Sequence, residues 1–175
     1  LLNGNSREIE AALQEHRIDL GLVEGICRLP NLRYTTFLQD ELVAVVHTGS
    51  KLSLPDEITP EDLSRIPLVL RERGSGTLDV FERALSEHNM KLSSLNVLLY
   101  LGSTESIKLF LEHTDCIGIV SIRSISRELL SGTFRVIEIK GMPMLREFCF
   151  AQPQGQESGL SQVLMQFAMH HNKKL

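Results

Sequence analysis

The chain has 175 residues, 42% of them hydrophobic, and a formal net charge of −4. That is enough apolar material for one globular unit or two small lobes with real cores. The acidic balance offers no basic face for gripping nucleic acid, and 5% aromatic residues with no Trp exclude base-stacking platforms and sugar-binding aromatic walls.

Three cysteines, Cys27, Cys116 and Cys149, are an odd number at wide spacing, with no CxxC. Cys116 and Cys149 sit in apolar runs, where a free Cys acts as a small core residue. This usage points to a reducing, cytoplasmic compartment. No apolar run approaches the ~18–20 residues of a membrane span, and no signal-peptide pattern is present. Leu1-Leu2 reads as the end of a strand, so the chain is expected to be a piece of a longer protein.

In chain order, Leu1–Gly4 reads as a strand end and Asn5 or Ser6 as the cap of a helix with Ile9, Ala12, Leu13 and His16 on one face. Ile18–Gly25 reads as an apolar strand. Strand–helix–strand predicts a βαβ unit with parallel strands. Phe37–His47 follows as another strand. Thr59-Pro60-Glu61-Asp62 has the residues of a helix start. Leu68–Leu70 is a short strand, and a helix runs from about Thr77 to Asn89. Leu95–Leu101 is predicted as strand, Ser103–His113 as helix and Cys116–Ser121 as strand. Ile122–Leu130 is a short helix stopped near Gly132. Thr133–Ile139 and Arg146–Gln152 alternate as strands. After a turn at Gly155–Gly159, Leu160–His171 is a helix with Leu160, Val163, Leu164, Phe167 and Ala168 on its apolar face. The tail through Lys173-Lys174 is expected to fray.

The stretch Arg71–Thr77, RERGSGT, joins a strand to a helix. Its glycines permit a tight turn and close approach of a ligand. Ser75 and Thr77 are good cap types, and the helix start carries unpartnered N–H groups and partial positive charge. An ordinary capped helix explains Ser75, Gly76 and Thr77 equally well, and Arg71 and Arg73 can be solvated or paired with Glu72. Ser103 and Thr104 open another helix after a strand, and Glu24 and Gly25 end a strand. In such sheets ligands bind outside the carboxyl ends of strands. No GxSxG, P-loop lysine motif or GxGxxG occurs, and the six histidines lack metal-ligand spacing. The reading is therefore no catalytic residue, no metal and no cofactor.

Residues 4–13 align with residues 102–111: the glycine, the polar cap and the apolar positions match. Leu20–Val23 matches Ile117–Val120 after a one-residue slip. Generic likeness between any two βαβ units also accounts for the matching letters.

Gly4-Asn5-Ser6, Ile18–Gly25, Asp40–Val46, Leu70–Thr77, Gly102–Lys108 and Gly118–Ser121, in that order and spacing, resemble the effector-binding domain of LysR-type transcriptional regulators. The resemblance implies an α/β fold of two Rossmann-like lobes of the type 2 periplasmic-binding-protein kind. Two crossover segments, Phe37–Val46 and Arg146–Gln152, would join them. The first lobe would comprise residues 1–45 plus 148–175 and the second 46–147. In the family a strand and helix precede the equivalent of residue 1, so the first lobe would lack its initial strand and helix. A winged helix-turn-helix precedes those, so DNA binding would belong to the intact protein. Carried over by position, Ser75, Gly76, Thr77, Ser103 and Thr104 would face the cleft from the second lobe, and Glu24 and Gly25 from the first; Arg73, beside that turn, is a candidate ligand contact by its charge alone. The resemblance implies a small-molecule effector bound between lobes, a homodimer or homotetramer, and no membrane or enzymatic role. Arginines and helix starts on the cleft suggest a small anionic effector. A periplasmic-type solute-binding protein for transport shares the fold and is the alternative.

Overall fold

The computed structural model describes residues 1–25, 29–155 and 159–172. Cys27, the middle of the turn at 155–159 and the tail lysines lie outside the described residues. In chain order the elements are α1 (Ser6–Gln14), β1 (Gly21–Gly25), β2 (Leu32–His47), β3 (Glu57–Ile58), β4 (Leu68–Arg71), α2 (Gly76–Glu87), β5 (Val97–Leu101), α3 (Thr104–His113), β6 (Ile117–Ser121), α4 (Ser126–Leu130), β7 (Phe134–Ile139), β8 (Met144–Pro153) and α5 (Gly159–Asn172).

Two long antiparallel strands, β2 and β8, carry the sheet from one half of the molecule to the other. The strand order is β1-β8-β2-β6-β4-β5, with β7 pairing β2 and β3 off this path. β8 pairs Leu32–Leu42 of β2, while β6 and β7 pair its remaining residues. β4 runs parallel to both β5 and β6, as strands joined through α2 and α3 should.

Side-chain alternation divides the core. Leu68, Leu70, Ile117 and Ile119 face α2 and its Phe81 and Leu85. Val69 and Val120 face the opposite layer, with Ile107 and Leu111 of α3. A third, smaller core joins Ile9 and Leu13 of α1 to Val23, Leu32, Cys149 and Ala151.

The internal repeat extends to packing. Asn5 caps α1 and Ser103 caps α3, each accepting from the backbone N–H three residues on. A β-carbon on Gly21 would fall 2.6 Å from Ile9 and 3.2 Å from Leu13. One on Gly118 would fall 2.9 Å from Ile107 and 3.1 Å from Leu111. These are the residues that the sequence match pairs, so each glycine lets the same two helix positions close onto the sheet.

Three expectations change, and a fourth, the α5 helix, forms with its apolar face uncovered. Leu1–Gly4 forms no strand, and among the described residues β1 pairs antiparallel with β8 and has no parallel neighbour. His16 leaves the α1 face, because the helix ends at Gln14 and His16 takes a left-handed φ of 54°. Thr59 and Asp62 form a capping box, but it opens a single 3-10 turn, Pro60–Ser64. The apolar face of α5 is exposed, with Leu160 at 79% and Phe167 at 60%. Helical spacing predicts which residues share a face, but burial of that face needs a partner element. Leu164 instead borders an apolar hollow with Leu1, Leu2, Leu20 and Phe150 beside the β1 edge.

Candidate functional site

α1 and α3 are equivalent elements of the two halves, and their N-termini open onto one cavity of about 570 Å³. Asn5, Ser6 and Glu24 line it from the α1 side. Arg71, Glu72, Ser103 and Thr104 line it from the other, and Leu22 and Phe148 are its apolar lining. This volume lies in the range of small-ligand sites, ~300–1,000 Å³. Ser6 donates its hydroxyl to the Glu24 carbonyl at 2.7 Å, tying α1 to the end of β1. Arg71 donates to both oxygens of Glu72, at 2.9 and 3.1 Å. Burial pushes the Glu72 carboxyl up, but Arg71, a backbone N–H and the Asn5 side chain outweigh it and hold the group below its ordinary value.

Behind the cavity lies a buried charge network. Arg146 of β8 and Asp40 of β2 are register partners in the ladder. Arg146 donates to Asp40 at 2.8 Å and to the Thr77 hydroxyl at 2.9 Å, and it pairs with Glu24 at 2.7 Å. The Arg146 and Asp40 side chains are 3% and 0% exposed. Ser121 donates to the other Asp40 oxygen at 2.9 Å. Thr77 in turn donates to Glu24 at 3.2 Å. One guanidinium thus links β1, both long strands and the start of α2. Charges this buried persist only when paired and fully hydrogen-bonded.

The structure sorts the sequence-predicted residues. Glu24, Ser103 and Thr104 come together on the cavity. Ser75, Gly76 and Thr77 are buried beneath the end of β1: Ser75 caps α2 by accepting from the Leu78 N–H, and Thr77 joins the Arg146 network. Gly25, with φ of +122°, packs against Gly76. Arg73 is exposed and lies outside the cavity lining. Sequence reasoning read Asn5 and Ser6 only as caps and Asp40 and Arg146 only as strand residues, without a place in the site. The signal for the last two was a charged residue on the apolar side of an alternating strand. Among the described residues, no group of three or more His, Cys, Asp or Glu is placed to hold a metal ion.

The LysR substrate binding domain family model matches residues 1–173, and the chain belongs to that family. The family is one of ligand-sensing domains, not of catalysts or transport proteins. Over 136 residues the chain is 33% identical to an uncharacterized HTH-type transcriptional regulator, YeiE of Escherichia coli K12, covering 78% of this chain and 45% of that one. The chain therefore spans less than half of that regulator's length. In fold it is similar to the Synechocystis PCC6803 CcmR regulatory domain in complex with 2-PG, with a TM-score of 0.82, 24% identity, and coverage of 98% and 81% of the two chains. It is similar also to the effector-binding domain of QuiR in complex with shikimate, with a TM-score of 0.81, 20% identity, and coverage of 98% and 79%. The fold is thus the periplasmic-binding-protein-like α/β type of LysR regulatory domains.

Proposed function

We propose that this chain is the sensor of a LysR-type transcriptional regulator, binding a small anionic effector between two lobes. The observation that carries this reading is the cavity between the paired N-termini of α1 and α3, lined from both halves. The lobes are taken as residues 1–45 plus 148–175 and residues 46–147, with β2 and β8 crossing between them. Helix N-termini favour negative charge, and it is the arginines at the cleft border, not the Glu8–Glu72 wall, that would hold it. Ser103 and Thr104 supply hydroxyls from one side and Glu24 an acceptor from the other. Ser75, Gly76, Thr77 and Gly25 are assigned to the site through the contact of α2 with the end of β1 that forms its floor, and Arg73, outside the lining, is assigned no contact with the effector. Two effector-bound neighbours of this fold, holding 2-PG and shikimate, support a small polar ligand.

Occupancy favours one relative arrangement of the halves and so shifts a population. In the intact regulator, a homodimer or homotetramer in the cytoplasm, that shift changes how N-terminal helix-turn-helix domains meet DNA. Among the described residues no helix is long and apolar enough to cross a membrane.

The test is isothermal titration against a panel of small carboxylates and oxyanions that includes shikimate. Saturable binding of a panel member, weakened by Ser103→Ala with Thr104→Val, is expected. Binding of neutral or cationic compounds alone would overturn the reading.

A further inference from the structure

Among the described residues, three guanidinium groups border the cleft, and two are committed. Arg71 holds both oxygens of Glu72. Arg146 is buried and held by Asp40, Glu24 and Thr77. Arg123 differs. Among the described residues its guanidinium reaches only Asp40, at 4.0 Å, beyond hydrogen-bond distance, and its side chain is 58% exposed. Both Asp40 oxygens already accept from Arg146 and Ser121.

Arg123 borders a second cavity of about 410 Å³, with Ser121, Ser124 and Thr104 as polar neighbours and Phe37, Leu38 and Phe148 as apolar lining. This cavity shares Leu22, Glu24, Thr104 and Phe148 with the first, so the two are ends of one cleft. The ends differ in charge. Beyond the shared Glu24, the first adds the carboxylates of Glu8 and Glu72 against a single, paired Arg71, while the second adds Arg123 and Arg146. That end disfavours a second anion and suits O–H or N–H donors.

We propose that the effector is a bipolar small molecule whose anionic group docks on Arg123 beside Thr104. Its hydroxyl or ammonium groups reach the Glu8–Glu72 end. Arg123 is then the residue that selects for negative charge, and Arg71 is a structural partner of Glu72. This assignment rests on the effector-cleft reading and names its ligand class.

The anion site is tested on the protein with inorganic phosphate, followed by amide chemical shifts. Saturable shifts centred on Thr104, Arg123 and Ser124 are expected. Arg123→Gln, at an exposed side chain, weakens them by ~10-fold or more, the loss of one charge-assisted bond. Arg83→Gln, at an exposed pair with Glu87 outside both cavities, leaves the phosphate affinity unchanged. Shifts centred on Asn5, Arg71 and Ser103, no saturable shift, or an Arg123→Gln variant equal to the parent would each overturn the assignment. Glycerate is then compared with propionate: tighter glycerate binding is expected, and equal binding removes the bipolar ligand. Binding at the Asn5–Ser103 end with no role for Arg123 leaves the effector-cleft reading standing, so the two fail separately.

Discussion

The α-carbon of Gly76 lies against the backbone carbonyl of Glu24, and no β-carbon fits between them. Here the start of α2 meets the end of β1, backbone to backbone. A rotamer change cannot relieve an overlap with main-chain atoms. Gly76→Ala is therefore expected to cost ~1–3 kcal/mol, as overpacking does, read as a lower urea midpoint. Stability within ~0.5 kcal/mol of the parent would show that the two segments separate freely.

Arg146→Met strands Asp40 in a buried site and leaves Glu24 without its cation. Removing one partner of such a pair costs ~3–5 kcal/mol. Adding Asp40→Leu to Arg146→Met is expected to recover part of the loss, because the fully buried carboxylate is gone and only the partly exposed Glu24 stays without its cation. A double-mutant cycle by chemical denaturation measures this coupling, and strictly additive losses would argue against it.

Burial raises the Glu10 carboxyl above its ordinary value of 4.5; the Tyr34 hydroxyl opposes that rise, Asp79 adds to it and Arg7 opposes it. The folded chain therefore keeps this proton to higher pH than the unfolded chain does. Between 4.5 and the raised value the native state binds more protons, so stability falls as pH rises through that window. Glu10→Gln retains an acceptor for Tyr34, which donates at 2.6 Å, but cannot titrate. Relative to this variant, the parent is expected to lose stability from pH 4.5 upward. Parallel urea curves at every pH would refute the assignment.

Burial, with a smaller push from Asp115, raises the Cys116 thiol to about 11. The thiolate is the reactive form. Iodoacetamide at pH ~8, below even the ordinary thiol value of ~8.5, is expected to leave Cys116 unmodified in the native protein and to label it after unfolding. Native labelling seen by peptide mass mapping would mean that the α3 layer opens readily.

Sequence reasoning reached furthest where the physics is local. Asn5, Ser75 and Ser103 act as caps because a short polar side chain satisfies an N–H three residues on, within one turn. Gly21 and Gly118 were readable as a pair because each is set by its own helix. Asp40 and Arg146 were not, since the reason for each charge is its neighbour 106 positions away. The same limit applies to α5. Its spacing shows an apolar face, while Val163 at 63% exposure shows that spacing does not supply a covering partner. Ser75–Thr77 had the composition of an open anion site. What closes it is Glu24, from a strand about 50 residues earlier, a non-local approach.

The Glu24–Arg146–Asp40 cluster also constrains how this sequence can drift. A change of sign or size at one position is tolerated only alongside a matching change at the others, as two carboxylates enclose a single buried cation. Homologues are then expected to inherit the trio whole or to exchange it together for apolar residues. Intermediate combinations would be rare, a pattern of covariation joining β1 and β2 to β8, about 100 residues further along the chain.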